Sequence, residues 1–232
     1  MNDVVNLEQL KHDLLGLEDL SDHVLQDRIE GQDWPEQALT MIGLRRLNNF
    51  QQIIESVVRE NVSGDVIECG VWRGGACIYA SAVLESLQSE KKIYVADSFC
   101  GFQKPKNHID KMATFIDEPY LKVSLEEVQQ NFKKYNLLNN QVIFVSGYFE
   151  QTLPNLQAQF SVIRADADLF EPTAEILTYL YPKLSIGGYI IIDDYAIDAC
   201  RWAVEAYRQK CHITEQVYMI DQSGIYWRKE RM

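Results

Sequence analysis

Acidic side chains end four of the five short apolar runs in the second part of the chain. These acids are Glu68, Asp97, Asp166 and the adjacent pair Asp193 and Asp194. Clustered carboxylates repel one another unless a positive group lies between them. Asp166, Asp193 and Asp194 are three hard oxygen donors without a nearby His or Cys, and such donors suit Mg²⁺, Mn²⁺ or Ca²⁺ and not zinc. The chemistry that these residues indicate is therefore cation binding and proton transfer, with capping of a following helix as the alternative role for one or two of them.

The elements that must position these acids follow from the spacing of the apolar runs. Short runs that alternate with helical stretches predict βαβ units and a parallel sheet. The five runs are Val66-Ile67, Ile93-Val95, Val142-Val145, Val162-Ile163 and Tyr189-Ile192. The predicted helices between and after them cover 74–90, 124–136, 171–183 and about 197–210.

The end of the chain predicts a hairpin that completes the sheet. Two further runs, Val217-Ile220 and Ile225-Trp227, flank the turn sequence Asp221-Gln-Ser-Gly224. We therefore expect an α/β fold with a doubly wound, mostly parallel seven-stranded sheet over 64–232. In such sheets, ligands bind beyond the carboxyl ends of the strands, which is where the acids fall.

An N-terminal helical extension is predicted over 1–63. Leucines recur through residues 1–35 at a spacing typical of short amphipathic helices, and the apolar residues of 36–60 predict one longer amphipathic helix.

The turn after the first strand is rich in glycine and reads Glu68-Cys-Gly70-Val-Trp72-Arg-Gly74-Gly75. In the dinucleotide fingerprint the second glycine admits the pyrophosphate, and here Trp72 stands at that position. A ligand with a nucleoside but no pyrophosphate fits better. Asp97, at the end of the second strand, is placed to accept hydrogen bonds from ribose hydroxyls.

Composition excludes several classes of partner. The 232 residues carry 34 acids against 22 bases, a net charge of −12, which disfavours nucleic acid and anionic membrane surfaces. Residues 1–35 hold nine of the acids and two of the bases. Five cysteines without a CxxC pair predict reduced thiols and a cytoplasmic protein. No apolar run approaches the roughly 20 residues of a membrane helix, and no secretory signal is expected.

Several phrases in fixed order resemble the TylF/MycF-type macrocin O-methyltransferases. They run from Thr40-Met-Ile-Gly-Leu-Arg-Arg-Leu47 to Tyr226-Trp-Arg-Lys229, most of the chain. Between these ends lie Glu68-Cys-Gly-Val-Trp-Arg-Gly-Gly-Ala76, Val95-Ala-Asp-Ser-Phe99, Arg164-Ala-Asp-Ala-Asp168, Tyr181-Pro-Lys-Leu-Ser-Ile-Gly-Gly188 and Ile192-Asp-Asp-Tyr195.

The resemblance implies a class I methyltransferase fold, which is Rossmann-like, and S-adenosylmethionine as the cofactor. It further implies a divalent metal, Mg²⁺ or else Mn²⁺ or Ca²⁺, and methylation of a sugar hydroxyl on a natural product. By resemblance, Asp166, Asp193 and Asp194 are the metal ligands, and Asp168 is the general base, with Asp166 beside it in the catalytic site. The residues that fall in or next to the cofactor motifs are Glu68, Gly70, Trp72, Arg73, Gly74, Asp97, Ser98, Gly147 and Phe149. Met41 and Arg45 lie where the family folds an N-terminal lid over the cofactor.

Two departures from the family pattern lie in the Arg164 phrase, where Ala165 replaces a leucine-like residue and Ala167 replaces glycine. Segments 1–35 and 103–122 match none of the family phrases, so we expect them to shape the acceptor site. His108 lies in the second of these segments and is either a further base or substrate contact, or a surface residue. By analogy with the family we also expect a homo-oligomer, a dimer formed partly through the N-terminal helices.

The mechanism that this hypothesis implies is direct methyl transfer to a hydroxyl. A bound cation would orient the hydroxyl and lower its pKa, and Asp168 would take the proton. Chelation by two neighbouring oxygens would favour a vicinal diol. Two other functions stay open: a metal-dependent phosphohydrolase that uses the Asp166-x-Asp168 and Asp193-Asp194 carboxylates, and a non-catalytic protein with a methyltransferase fold.

Overall fold

A seven-stranded sheet organises the protein in the computed structural model, which describes residues 6–231. The strand order is β3-β2-β1-β4-β5-β7-β6; the first five strands in sequence are parallel, and β7 pairs antiparallel with both β5 and β6. The strands are β1 (Asp65–Cys69), β2 (Ile93–Asp97), β3 (Val142–Ser146), β4 (Phe160–Ala165), β5 (Leu184–Ile192), β6 (Tyr218–Met219) and β7 (Ile225–Arg228). The predicted sheet and its closing hairpin are confirmed.

Helices cover both faces of this sheet. They are α1 (Leu7–Leu15), α2 (Asp22–Glu30), α3 (Gly43–Arg59), α4 (Gly75–Ser86), α5 (Leu125–Lys134), α6 (Phe149–Thr152), α7 (Phe170–Leu180) and α8 (Asp198–Lys210). The short helices α1 and α2 confirm that the leucine-rich N-terminal segment is helical over the residues that the structure describes. Helix α1 buries Leu10, Leu14 and Leu15, whereas the buried side chain of α2 is Arg28.

Successive strand residues point to opposite faces of the sheet and enter two separate hydrophobic clusters. Val66 packs with side chains of α3, α4 and α5, whereas its neighbour Ile67 packs with those of α7 and α8. The first cluster also contains Leu14 of α1 and Phe50 of α3, so these two helices share a core with the sheet. The division at residue 63 into an extension and a methyltransferase domain stays a prediction.

The helix predicted over 36–60 begins later, at Gly43, and the reason is local. Backbone groups of the preceding segment form hydrogen bonds with other parts of the chain instead of the hydrogen bonds that a helix would make. Leu39 donates its N–H to Leu14 O at 2.8 Å and accepts from Gly75 N at 2.8 Å. Apolar spacing alone does not distinguish such an irregular segment from the beginning of a helix.

Within the part of the chain that the structure describes, no helix is both long and apolar enough to cross a membrane. All five cysteines lie in this part and are free thiols, as their number and spacing predict.

Candidate active site

A cleft opens beyond the carboxyl ends of β1, β2 and β4, at the point where the strand order reverses. It contains about 1100 Å³ of empty space, part of it open to solvent. Seven of the predicted cofactor residues line it: Met41, Glu68, Gly70, Trp72, Asp97, Ser98 and Phe149. Asp166 and Asp168 line it as well, so residues of the predicted cofactor motifs and the predicted catalytic pair face one cavity.

Three non-glycine residues near this cleft have a left-handed backbone. Trp72 follows β1 with φ +47°, Phe99 follows β2 with φ +55°, and Asp168 follows β4 with φ +56°. Such conformations cost energy and persist where the surrounding structure fixes them, often at functional sites. Each of the three turns that shape the cleft thus contains one non-glycine residue in this conformation.

Gly70 allows the turns after β1 and β4 to touch. Its φ is +85°, and a Cβ atom at this position would collide with the carbonyl oxygen of Asp166. Asp166 also donates its N–H to Cys69 O at 2.9 Å. The absence of a side chain at residue 70 therefore allows the turn that carries Asp166 and Asp168 to lie this close to the turn after β1.

Asp97 is tied to the neighbouring turn by both carboxylate oxygens. Val71 N donates to Oδ2 and Phe99 N donates to Oδ1, each at 2.9 Å. Burial raises the pKa of Asp97, and these hydrogen bonds oppose the increase. Because each carboxylate oxygen can accept a second hydrogen bond, the side chain retains acceptor capacity toward the cleft.

The start of α4 is unsuited to a phosphate group. In dinucleotide-binding folds, the free N–H groups at this helix N-terminus bind the pyrophosphate. Here the N–H of Gly75 donates to Leu39 O, and a Cβ on Gly75 would collide with that same oxygen. The structure thus agrees with a nucleoside ligand that lacks a pyrophosphate.

Three carboxylates come together at the acidic side of the cleft. One oxygen from each of Asp166, Asp168 and Asp194 lies within 4.8 Å of the others. Burial, followed by repulsion from Asp193, raises the pKa of Asp168 to about 6. Burial and the neighbouring carboxylates also raise the pKa values of Asp166 and Asp194. A divalent cation would relieve this repulsion, and three carboxylate oxygens are a donor set that Mg²⁺ or Ca²⁺ accepts.

Asp193, which the resemblance implies as a metal ligand, does not belong to this geometric group, so its role as a ligand stays a prediction. Its Oδ1 atom pairs with Arg164 and its Oδ2 atom pairs with Arg46. Asp168 takes its place in the geometric cluster. The physical reason is charge: Asp193 is 2 % exposed, and a buried carboxylate needs positive partners.

A buried ionic network extends from this point. Arg164 also pairs with Glu68 and Asp166, and the Nε atom of Arg46 lies 3.0 Å from an oxygen of Asp221. Burial alone would lower the pKa of Arg164, but the surrounding carboxylates raise it well above its usual range. Glu68 is thereby held under the cleft by Arg164 and by a 2.7 Å contact with the Cys77 thiol.

Arg73, one of the predicted cofactor residues, instead fastens the segment before α3. Its Nη1 atom donates to Glu36 O at 2.8 Å and to Ala38 O at 2.9 Å, and its guanidinium lies 4.2 Å from the centre of the Trp72 ring. Met41 follows this fastened segment and lines the cleft. Arg45 points elsewhere, since its side chain is 62 % exposed and 3.7 Å from Glu30.

An aromatic stack joins three distant parts of the chain beside the cleft. Tyr120 stacks on Trp34 at 5.3 Å between ring centres and lies 5.2 Å from Trp72. Its hydroxyl donates to Pro35 O at 2.5 Å, and the Trp72 ring N–H donates to Tyr120 O at 3.0 Å. We call Trp34, Tyr120 and Trp72 the aromatic stack. Through this stack, segments 1–35 and 103–122 contact each other. These are the two segments that no family phrase covers.

The other predicted residues support the turns from outside the cleft. Gly74 is the N-cap of α4 and packs against Val128, and Gly147 donates its N–H to Asp97 O at 2.9 Å. His108 is exposed and lies outside the cleft lining. Sequence reasoning missed Asp110, a buried acid of the loop after β2 that lines the cleft and binds the start of α7. The helix N–H groups that it binds belong to residues 60 and 61 positions later, and no local sequence pattern indicates this contact.

Comparison with known proteins identifies the class of this site. The profile of the macrocin-O-methyltransferase (TylF) family matches residues 5–229. The chain belongs to this family. Mycinamicin III 3''-O-methyltransferase of Micromonospora griseorubida is 44 % identical over 214 residues, which is 89 % of this chain and 84 % of the relative. Demethyldecarbamoylnovobiocin O-methyltransferase of Streptomyces niveus is 45 % identical over 213 residues, 88 % of this chain and 80 % of the relative.

Solved structures agree with this assignment. The O-methyltransferase NovP superposes with a TM-score of 0.92 at 41 % identity and covers 97 % of this chain and 98 % of its own. The calicheamicin methyltransferase CalS11 has a TM-score of 0.66 at 18 % identity, over 96 % of this chain and 90 % of its own, and so supports the fold alone. Family membership makes the protein an O-methyltransferase whose methyl donor is S-adenosylmethionine and whose acceptor is a small molecule. It does not favour the phosphohydrolase alternative.

Proposed function

We propose that the protein methylates a hydroxyl of a sugar, or of a vicinal diol, on a natural product, and that a divalent cation assists the transfer. The carboxylate cluster at the cleft is the observation that carries this proposal. The relatives support the acceptor class: one acts on the 3'' position of mycinamicin III, and another, from Streptomyces olivaceus, acts on a rhamnosyl tetracenomycin at the 4' position.

The donor half of the cleft suits the cofactor of the family. S-adenosylmethionine supplies an electrophilic methyl group on a sulfonium. On this chain, Asp97 would accept hydrogen bonds from its ribose, and Gly70 leaves room beside the turn after β1. Met41 and Phe149, which also line the cleft, would exclude water from the reacting groups.

Asp166 and Asp194 are our proposed cation ligands, because they belong both to the ligand set expected from the resemblance and to the geometric cluster. A bound divalent cation would orient the acceptor hydroxyl and lower its pKa. The third ligand is Asp168 if the cluster binds as it stands. It is Asp193 if that side chain exchanges an arginine for the cation, which would leave Asp168 free to act as the base.

Asp168 is our proposed general base. Its side chain faces the cleft, and a pKa of about 6 leaves it ionised at neutral pH and able to accept the proton of the acceptor hydroxyl. Replacement with asparagine keeps the size of the side chain and removes that capacity. We expect Asp168→Asn to lower kcat by roughly 10²–10⁴-fold and to leave binding of S-adenosylhomocysteine unchanged. His108→Ala, an exposed change outside the cleft, is the matched control, and full turnover by D168N would reject the assignment.

Thermal shift assays separate the parts of the proposal. S-adenosylhomocysteine should raise the melting temperature, Mg²⁺ should raise it further, and EDTA should reverse the second increase. No stabilisation by the nucleoside would overturn the cofactor assignment, and no effect of Mg²⁺, Mn²⁺ or Ca²⁺ would overturn the metal. Stabilisation by phosphate alone would favour the hydrolase. Comparing D168N with Asp193→Asn in the presence of Mg²⁺ identifies the third ligand as the residue whose loss abolishes the metal effect.

Acceptor class and assembly need separate measurements. Incubation with S-adenosylmethionine and either mycinamicin III or demethyldecarbamoylnovobiocin, followed by mass spectrometry, tests for a product heavier by one methyl group. Failure with both, and with a panel of simple glycosides and catechols, would overturn the proposed acceptor class. A homodimer is our proposal for the assembly, and light scattering of the full chain measures it. The cytoplasmic location remains a prediction.

A further inference from the structure

Asp110 is a buried carboxylate that binds a helix far from it in sequence. It lies in the loop between β2 and α5 and is 2 % exposed. Its Oδ1 atom accepts a hydrogen bond from Phe170 N at 2.7 Å, and its Oδ2 atom accepts from Glu171 N at 2.9 Å. Asn107 completes the arrangement by donating from Nδ2 to Oδ2 at 2.6 Å.

These contacts replace the usual local cap of α7. The first N–H groups of a helix have no partner within the helix, and a side chain just before the helix normally accepts from them. Leu169 occupies that position in α7 and has no side chain able to do so. Asp110 supplies the acceptor instead, and its negative charge is favourable at the positive end of the helix dipole.

The two segments that Asp110 joins form one side of the cleft. The loop contributes Gly101–Pro105 and Leu121 to the lining, and the first turns of α7 contribute Glu171, Pro172 and Glu175. None of these residues belongs to the cofactor motifs. Asp168 lies two residues before α7, so the position of the helix start and that of the proposed base are linked through the backbone.

We propose that Asp110 is a positioning residue for methyl transfer, which clamps the 101–122 loop to the start of α7 and so fixes the acceptor-binding wall relative to Asp168. This inference rests on the proposed function for its catalytic meaning. The clamp itself is a property of the fold and can be measured without any acceptor.

Asp110→Asn tests the clamp while the side chain keeps its size. Asparagine has a single acceptor oxygen. Its NH₂ group would replace the other oxygen and would face a donor, either an N–H of α7 or the Asn107 amide. The loop contains Lys106 and Lys111, both exposed, which report its opening through cleavage by trypsin. With S-adenosylhomocysteine present, we expect cleavage at these sites to be roughly tenfold faster in D110N than in the unmodified protein, through loss of one buried charge-assisted hydrogen bond.

Asp117→Asn is the matched control, because it removes the same charge from an exposed position in the same loop. It should leave the cleavage rate unchanged. Equal cleavage rates in D110N, D117N and the unmodified protein would overturn the clamp. Cleavage throughout the chain of D110N, and not only in this loop, would show general unfolding and would also overturn it.

Kinetics distinguish positioning from a merely structural role. At saturating S-adenosylmethionine, D110N should raise the KM for mycinamicin III or demethyldecarbamoylnovobiocin, whichever is methylated, by about tenfold, with the Kd for S-adenosylhomocysteine unchanged. Equal losses in cofactor affinity and kcat, with KM unchanged, would refute positioning. If the unmodified protein fails to bind S-adenosylhomocysteine, the proposed function fails, and the cleavage experiment still decides whether the clamp exists.

Discussion

Asp194 holds the backbone of Asp168: its Oδ2 atom accepts a hydrogen bond from the Asp168 N–H at 3.1 Å. The same oxygen accepts from Ala167 N at 3.1 Å. The acid that follows β5 therefore shapes the turn that follows β4 and keeps Asp168 in its left-handed conformation. The Asp194 carboxylate therefore supports this turn and also lies close to the carboxylates of Asp166 and Asp168.

Asp194→Asn separates these two roles, because an amide oxygen can still accept both N–H groups. Without metal, the variant relieves repulsion in the cluster, so we expect its melting temperature in EDTA to equal or exceed that of the unmodified protein. The increase produced by Mg²⁺ should disappear. Thermal shift with and without EDTA measures both effects, and a retained Mg²⁺ response would exclude Asp194 as a ligand.

The pH dependence of stability should carry the signature of Asp168. Its pKa rises from the usual value near 4 to about 6, so the folded state binds the proton more tightly than the unfolded chain does. The stabilising effect of that proton is present at low pH and is lost as the pH rises through about 6. In EDTA, the free energy of unfolding of the unmodified protein, relative to that of D168N, should therefore fall between pH 4 and pH 6.5. Urea titrations across this range measure the difference, and a constant difference would contradict the raised pKa.

Gly70→Ala should cost more stability than an alanine at another glycine with the same backbone angle. Gly187 has φ +84°, and a Cβ there meets its nearest atom, a flexible arginine nitrogen, at 3.3 Å. Gly187→Ala should therefore lower the free energy of unfolding only by the cost of alanine in a left-handed conformation, about 1–2 kcal/mol. Gly70→Ala bears that cost and also displaces the Asp166 carbonyl, so it should lose cofactor binding as well. Urea unfolding and calorimetry with S-adenosylhomocysteine compare the two, and equal effects would mean that the contact with Asp166 is unimportant.

Arg164→Met tests the buried ionic network. Removing the guanidinium leaves Glu68, Asp166 and Asp193 without their shared partner, and the loss of one member of a buried ion pair typically costs about 3–5 kcal/mol. Arg201→Met removes an arginine whose partner, Asp198, is 62 % exposed, and should change stability far less. Chemical denaturation of both variants measures the contrast. Similar losses would show that burial of the network is not what makes Arg164 important.

The sequence predicted the features that depend on neighbouring residues. Short apolar runs identified all the strands, and acids at their ends identified the cleft, because the carboxyl ends of parallel strands meet at one edge. The helix predicted over 124–136 likewise begins where it was expected, because Ser124 Oγ accepts a hydrogen bond from Glu127 N at 3.1 Å and caps α5.

Features that depend on distant partners were not predictable. Asp193 is drawn out of the carboxylate cluster in part by Arg46, which lies 147 residues earlier in the chain. The irregular segment before α3 and the cap that Asp110 supplies to α7 also depend on hydrogen bonds to residues far away in sequence. In each case a local pattern gives the residue type, whereas the tertiary structure decides which partner it meets.

The aromatic stack has a consequence for engineering. Tyr120 belongs to the loop that lines the cleft, but it is held by Trp34 and Pro35 from the N-terminal segment and by Trp72 from the turn after β1. A loop with another residue at this position would lose the stacking on Trp34 and Trp72 and the hydrogen bond to Pro35 O. We therefore expect a loop exchange between members of the family to keep its geometry only when the N-terminal segment is exchanged with it.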